Sequence, residues 1–439
     1  MKIYAVIMCS ATVGTLLAES NLPPTNVVQV TPVFINALAD EARTNNPALK
    51  SADARVDAAR ADEQTVRTWE DPTVRIGKMG AERSMRAEDG DLIYGVEQKL
   101  PLFGKPKAAR RVTEIGTRVE EANADFQFQQ LRKDIAQNVF KTALANRALE
   151  IAQHDLAWLD TMLALTEQRY ELGQATQFDV LRMQNERSKR AEQLKTDSQM
   201  LEHERVNLNR LLNRNLQAPW PMLELPPIAP PVFYNEQLVK LGVKYEPKLK
   251  MMRRQIEQAS ASAEKTQRER YPDFALGTEI RNYAGNGEFR QGMVTLSFNV
   301  PWGNRKKYDA AIKRDEAKKE AIEFGAVDYE LAIRNDIHNL TVKIDAARRE
   351  AVLYRDEILP RSQTALDSAR AGWESNVGMF RDVIDARRML LDAQLMSARA
   401  ISEQYQMMSE LVLCCGLGDL EALQMIGSQI GNENPEPKK

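Results

Sequence analysis

The sequence contains few of the residues that build disulfide-linked domains. Three of its 439 residues are cysteines. Cys9 lies in an apolar N-terminal run, and Cys414 and Cys415 are neighbours. Adjacent cysteines rarely bridge each other. The sequence therefore excludes a disulfide framework, and Cys414 and Cys415 are expected to fill apolar space at a helix end.

Residue types that carry catalysis or ligand binding are also scarce. His154, His203 and His338 are isolated, and no pair has the spacing of metal ligands. No nucleophile motif, phosphate-binding loop or dinucleotide fingerprint occurs. We therefore expect no enzyme activity, no cofactor and no metal site. The formal net charge of −2, with basic and acidic residues interspersed, gives no indication of nucleic-acid binding.

Long apolar runs are absent after the N-terminus. Lys2, the apolar run 3–18 and the small residues Ala18 and Ser20 are typical of a secretory signal peptide, which we assign to residues 1–20. A buried first helix is the alternative interpretation. No later stretch approaches the ~20 apolar residues of a membrane-spanning helix. We expect an exported protein without a helical membrane anchor.

Proline is absent from about Lys107 to Glu171, a stretch with a single glycine. Apolar residues there repeat at alternating steps of three and four, the heptad pattern of a coiled coil: Val112, Ile115, Val119, Ala122 and Phe126. A helix of this span would be about 100 Å long. That length exceeds any globular core and predicts a coiled-coil-like assembly.

The order of predicted elements occurs twice along the chain, which predicts a duplicated fold. The first repeat, residues 21–218, comprises a helix (helix-forming from about Val33 to Trp69), a β-hairpin at about 72–100, a long helix at about 105–172, a tip and a returning helix at about 176–213. The second repeat, residues 232–426, comprises a helix (about Asn235 to Arg270), a β-hairpin at about 272–300, a long helix at about 304–373 with a kink expected at Pro360, a tip and a returning helix at about 379–415. A Pro-rich linker, 219–231, joins them, and residues 427–439 are predicted to form a disordered tail.

The four predicted strands have the length and alternation of membrane-crossing strands. Strands of about 9–11 residues cross a bilayer when tilted, with one face toward lipid. In the second hairpin we expect the lipid-facing residues to be Phe274, Leu276, Ile280, Val294, Leu296 and Phe298. Four strands cannot close a barrel, and an open edge in lipid leaves backbone groups unpaired. Several copies must therefore share a barrel; the alternative is two soluble hairpins that cap a coiled coil.

The two tips, near residues 172–181 and 376–386, have similar sequences. Gly173 and Gly378 supply the flexible backbone for each reversal. Thr176 is expected to cap the helix that follows the first tip. Asp179 and Asp382 place negative charge in the first turn of each returning helix, where the helix dipole favours it.

With these features in place, the sequence resembles the TolC family of outer-membrane efflux ducts over nearly all of its exported part. The residues that carry the resemblance are four motifs: Gln98–Lys105 at a strand-to-helix junction, Arg169–Gly173 before the first tip, Ile358–Pro360 in the second long helix, and Asp382–Ala386 after the second tip. The resemblance implies a homotrimer with a twelve-strand barrel in the outer membrane of a Gram-negative bacterium. It also implies a twelve-helix tunnel through the periplasm, docked to a periplasmic adaptor protein and an inner-membrane RND-type pump. The fold class is thus mainly α with a small β part, in which duplicated helical hairpins form an α-barrel tunnel.

The resemblance also assigns roles to the tip residues. Asp382, Asp385 and Asp179 would ring the periplasmic aperture. Three copies of each carboxylate in a small circle would raise one another's pKa and select cations. The alternative role for Asp382 and Asp179 is that of helix-start charges alone. The residues expected to contact the adaptor are Leu172, Gly173, Val377, Gly378 and Met379.

The leading functional hypothesis is a passive outer-membrane export channel, gated at its periplasmic tip and driven by a partner pump. The region around Gln98–Lys105 resembles branches of the family that serve heavy-metal exporters, and heavy-metal and drug export both remain open. An exported coiled-coil scaffold without a pore is the main alternative. An exported enzyme is disfavoured by the missing catalytic groups.

Overall fold

The computed structural model describes residues 27–80, 90–375, 377–423 and 425. The predicted signal peptide (1–20) and the predicted tail (427–439) lie outside the described residues. The elements follow in chain order: β1 (Val27–Gln29), α1 (Pro32–Asn45), α2 (Pro47–Thr65), β2 (Thr73–Met79), β3 (Asp91–Leu100), α3 (Lys105–Glu171), α4 (Gln177–Leu212), β4 (Met222–Glu224), α5 (Glu236–Tyr245), α6 (Pro247–Arg268), β5 (Phe274–Tyr283), β6 (Phe289–Phe298), α7 (Arg305–Leu353), α8 (Leu359–Glu374) and α9 (Phe380–Cys414).

Helix α3 dominates the molecule. Its 67 residues form an unbroken helix about 100 Å long. Along its length α3 packs in turn against α2 and α6, and further along against α4 and α9. Near the sheet, the helices α2, α3, α6 and α7 are successive neighbours, so they form a row of four helices rather than a closed bundle.

The expected single helices 33–69 and 235–270 are each two helices, and this corrects the sequence interpretation. The breaks fall at Asn46–Pro47 and Glu246–Pro247, at the same place in each repeat. Proline disfavours helical backbone in the residue before it and suits the first turn of a new helix. Asn46 Oδ1 accepts from Ala48 N at 2.8 Å, and Glu246 Oε2 accepts from Leu249 N at 2.5 Å.

The kink expected at Pro360 takes the form of a π-helical turn. Tyr354–Ile358 is a π-helical segment between α7 and α8, and Pro360 lies in the first turn of α8. Proline has no N–H for the helical ladder. The π-helical turn before Pro360 accommodates the loss of the backbone hydrogen bond that proline cannot donate.

The four strands form one antiparallel sheet in the order β2-β3-β5-β6. The two hairpins join through β3 and β5, with Asp91 opposite Tyr283 and Leu100 opposite Phe274. A separate parallel pair, β1 with β4, joins the start of the first repeat to the linker at residues 219–231. The sequence analysis missed this pair because its strands are three residues long and some 200 residues apart.

The buried apolar residues form two clusters along the helices. The larger cluster lies around the middle of α3, where Phe140, Ile337 and Met408 belong to α3, α7 and α9 and are fully buried. The smaller cluster lies toward the tips and includes Met162, Met183, Trp373 and Val383. In the part of the chain described, no helix is long and apolar enough to cross a membrane.

Candidate functional site

The sheet has one apolar face and one polar face. Leu276 lies opposite Leu296, Phe274 opposite Phe298, and Ile280 opposite Tyr94, so the residues expected to face lipid share one face. That face continues across the first hairpin through exposed side chains that the sequence analysis did not single out: Val74, Ile76, Tyr94 and Val96. The exposed apolar side chains across all four strands suit contact with lipid.

The opposite face carries polar side chains that are paired across strands. Arg75 on β2 forms an ion pair with Glu97 on β3, and Ser297 Oγ on β6 donates to Glu97 Oε1 at 3.2 Å. This last contact spans β5 at Gly277, where a Cβ would lie 2.7 Å from Thr295 Oγ1. A glycine there lets Glu97 reach across the intervening strand. The paired polar side chains make this face suited to contact with water.

Both edges of the sheet are open. Strands β2 and β6 each pair on one side only, and every residue of both strands is exposed. Unpaired strand edges are costly in a hydrocarbon environment. Within the described residues, nothing covers them.

The first tip is a compact reversal. Helix α3 ends at Glu171 with Leu172 as its C-cap, Gly173 has φ +72°, and Gln174 N donates to Arg169 O at 2.8 Å. Thr176 then caps α4: Asp179 N donates to Thr176 Oγ1 at 3.2 Å, and Asp179 Oδ2 accepts from Thr176 N at 3.0 Å. The expected cap at Thr176 is confirmed, and the carboxylate of Asp179 is engaged in it.

The second tip brings two backbone segments together. Val377 N and Gly378 N each donate to Gly372 O at 2.9 Å. A Cβ on Gly378 would lie 3.1 Å from the carbonyl carbon of Gly372, which is tighter than most Cβ contacts, so a larger residue would require the backbone to shift by a few tenths of an ångström. Val377 is 88% exposed, and Met379 at the other side of the turn is also exposed. Asn376, in the same turn, lies outside the described residues.

The candidate aperture residues have different surroundings. Asp382 lies in the first turn of α9, is exposed, and has no side-chain partner among the described residues. Asp385 lies 3.3 Å from Arg381 Nε and 3.8 Å from Arg388 Nη1. Asp179 belongs to the cap of α4. Of the three carboxylates, Asp382 is the one with neither a hydrogen bond nor an ion pair among the described residues.

Arg169 joins the two tips, a role that the sequence did not reveal. Its side chain is buried, with the guanidinium 4.6 Å above the ring of Trp373, and Nη1 donates to Glu374 O at 3.0 Å. Trp373 in turn contacts Phe380 at the start of α9, with ring centroids 5.2 Å apart. The ends of α3 and α8 and the start of α9 are therefore packed as one unit.

A model of the outer membrane efflux protein family matches residues 38–214 and 243–417, most of the chain. The chain belongs to the outer membrane efflux protein family. The two matched segments correspond to the two repeats. Membership places this efflux protein in the outer membrane, with its helices extending into the periplasm. No sequence among the curated proteins matches it.

Solved structures of outer-membrane proteins share the fold of this efflux protein. CusC superposes with a TM-score of 0.78 at 16% identity, over 88% of this chain and 92% of CusC. VceC of Vibrio cholerae gives 0.74 at 16% identity, over 88% and 97%. The CmeC outer-membrane channel of Campylobacter jejuni gives 0.74 at 13% identity, over 94% of both chains. The mainly helical fold with a small β part is thereby confirmed.

Side chains of the types that bind metals are scattered through the described part of this efflux protein. No group of three or more His, Cys, Asp and Glu side chains there is placed to hold a metal ion. Burial raises the pKa of Cys414 and of Cys415 to about 12. Burial disfavours the thiolate, which is the form of cysteine that binds metal ions.

Proposed function

We propose that this efflux protein is a passive trimeric channel that conducts solutes from a periplasmic adaptor and an inner-membrane RND-type pump through the outer membrane. The observation that carries the proposal is the four-strand sheet with an apolar face and two unpaired edges. Pairing β6 of one copy with β2 of the next removes every edge. Three copies then give a twelve-strand barrel, within the size range of bacterial barrels.

The helices also support the assembly of three copies into a closed ring. The row α2-α3-α6-α7 ends at α7, which carries an exposed apolar stripe of Phe324, Val327 and Leu331. These residues follow the i, i+3, i+7 spacing of one helix face. A neighbouring copy would cover this stripe, and twelve helices would continue the twelve strands as a tunnel.

The tips are proposed to form the periplasmic gate and the adaptor contact. Asp382, with Asp385 and Asp179 behind it, would ring the aperture in the trimer. Leu172, Gly173, Val377, Gly378 and Met379 would meet the adaptor, and their exposure supports this. The inner-membrane pump would supply the energy for transport.

Membrane fractionation followed by planar-bilayer recording tests the proposal. We expect the native protein in the outer-membrane fraction, as a trimer that heat dissociates, with stepwise conductance after reconstitution. Recovery from the soluble periplasmic fraction, without conductance, would overturn the channel and favour a coiled-coil scaffold. A membrane-embedded dimer would overturn the twelve-strand barrel while leaving an eight-strand pore.

A further inference from the structure

A cavity of about 550 Å³ opens where the sheet meets the helices. Its walls come from the segment after α2, the turn between β3 and α3, the end of α6 and the start of α7. The basic residues that line it outnumber the acidic ones by five to three: Arg67, Lys99, Lys105, Lys265 and Lys307 against Glu70, Glu269 and Asp273. The cavity therefore carries an excess of two positive charges in each chain. We call it the junction cavity.

The junction cavity lies on the polar side of the sheet. Lys99, on β3, follows Glu97 by two residues, and alternate residues of a strand share a face. Glu97 belongs to the polar face described above, with Arg75 and Ser297. In the proposed trimer this face lines the lumen, so the junction cavity would open into the duct.

Two of the lysines in the junction cavity are neutralised and two are not. The side-chain nitrogens of Lys99 and Lys105 each lie 2.6 Å from a carboxylate oxygen of the same cavity. Lys265 and Lys307 are exposed, and neither has an ion pair with any residue that the structure describes. The Nζ atom of Lys307 lies 5.4 Å from the ring of Tyr308, which leaves its charge in place. These two ammonium groups are therefore available to an anion in the lumen.

Two long helices begin at the junction cavity, and their first turns add to its positive charge. Helix α3 begins at Lys105 and α7 at Arg305, the equivalent positions of the two repeats, and α7 continues with Lys306 and Lys307. Within the described structure, neither helix start has a side-chain cap or an acidic residue in its first turn. A helix start carries partial positive charge, which acidic side chains usually offset. Basic residues at this position in both repeats run against that preference, and such exceptions are typical of functional sites.

We propose that the junction cavities of three copies form a ring of positive charge in the lumen that binds multivalent anions, namely solutes with several carboxylate or phosphate groups. This inference rests on the proposed trimeric channel and names a class of solute for it. Two excess charges in each chain become six in the ring, and a cleft lined by one sign of charge raises the local concentration of counter-ions. The ring lies about 100 Å from the tips, because α3 runs the whole distance between them. Anions would therefore bind far from the carboxylate of Asp382.

Block of the channel current by citrate tests the ring. The native protein is reconstituted into a planar bilayer in about 0.1 M salt, where charges act over about 10 Å. We expect citrate, added on the side of the strand turns, to reduce the conductance, and acetate to reduce it less. The variant Lys265→Gln/Lys307→Gln removes the two unpaired charges from each chain. It should raise the citrate concentration needed for half block about fivefold or more.

A matched control removes the same number of charges from a second cavity on these helices, which Arg118 and Lys319 line. On α3, Arg118 lies nine residues after Ala109, which is half a turn around the helix axis, and Ala109 lines the junction cavity. The side chain of Arg118 therefore points away from the junction cavity. The variant Arg118→Gln/Lys319→Gln should show the same citrate block as the native protein.

The possible outcomes separate the anion ring from the channel itself. A native protein that conducts no current would overturn the proposed channel and the ring together. Conductance without citrate block, or with a block that Lys265→Gln/Lys307→Gln leaves unchanged, would overturn the ring alone. An equal loss of block in Arg118→Gln/Lys319→Gln would assign the effect to the overall charge of the helices, and this result would also overturn the ring.

Discussion

Arg387 on α9 donates through Nε to Oδ1 of Asp155 on α3, at 2.8 Å, across 232 residues of sequence. Arg190 Nε on α4 lies 2.6 Å from the second carboxylate oxygen, Oδ2. The side chain of Asp155 is 2% exposed, and the guanidinium of Arg387 also lies 4.7 Å from the ring of Trp158. One buried carboxylate thus links three helices above the tips.

Removal of this carboxylate should destabilise the helical part. In Asp155→Asn, Arg190 and Arg387 lose their shared counter-charge in a mostly buried site, and we expect a loss of about 3 kcal/mol in the free energy of unfolding. Thermal unfolding followed by circular dichroism measures it. Glu192→Gln removes an exposed pair with Lys195 on α4 and should leave the midpoint unchanged. Equal midpoints for native protein and Asp155→Asn would contradict the structural role.

Asp382 should influence ion flow more than Asp385. The charge of Asp385 is offset by Arg381 and Arg388, whereas Asp382 has no ion pair with any residue that the structure describes. Asp382→Asn should raise conductance or weaken block by multivalent cations in planar-bilayer recordings, and Asp385→Asn should do so to a smaller extent. The reverse order, or no effect of either change, would place the aperture elsewhere.

A change at Thr176, the capping partner of Asp179, separates the capping role of Asp179 from a role in the aperture. Thr176→Ala and Asp179→Ala each break the reciprocal cap of α4, at a cost of about 1 kcal/mol in local helix stability. If capping is the whole role of Asp179, both variants should increase protease cleavage at the first tip equally and leave conductance unchanged. A conductance change in Asp179→Ala alone would assign the carboxylate to the aperture.

Asp315 should make the protein sensitive to acid. Hydrogen bonds from Arg314 and then from Thr266 Oγ1, at 2.7 Å, lower the pKa of Asp315 to about 2 from its ordinary 3.8. A lowered folded-state pKa contributes stability above about pH 4, and this stability is lost as the pH falls toward 2. The difference in thermal midpoint between native protein and Asp315→Asn should therefore shrink across that window. Asp328→Asn, exposed on the same helix, should show no such trend.

The fold class could be predicted because long Pro-free heptad stretches, two alternating hairpins and their duplication are local patterns. A proline follows Asn46 and another follows Glu246, and these prolines mark the helix breaks in the sequence. The helix-forming residues on both sides of each proline nevertheless favour a single helix. Strands β1 and β4 could not be predicted. Three residues carry almost no pattern, and their pairing depends on the packing of both repeats.

The candidate site also has some features that a local sequence pattern predicts and others that depend on contacts between distant residues. Alternation in β5 and β6 predicts which side chains share a face, and the register places Phe274 opposite Phe298 and Leu276 opposite Leu296. The contacts of Arg169 with Trp373 and of Asp155 with Arg387 join positions more than 200 residues apart. No local pattern encodes such pairs. The aperture role of Asp382 stays a prediction, because it depends on neighbouring copies.

The open edges of β2 and β6 have a genetic consequence. In the proposed trimer every subunit lends its edges to two neighbours, so a defective copy would harm each assembly that it joins. Alleles that damage an edge strand should therefore be dominant over the wild type when both are expressed together. Alleles that prevent export altogether should be recessive, because the damaged chain never meets its siblings.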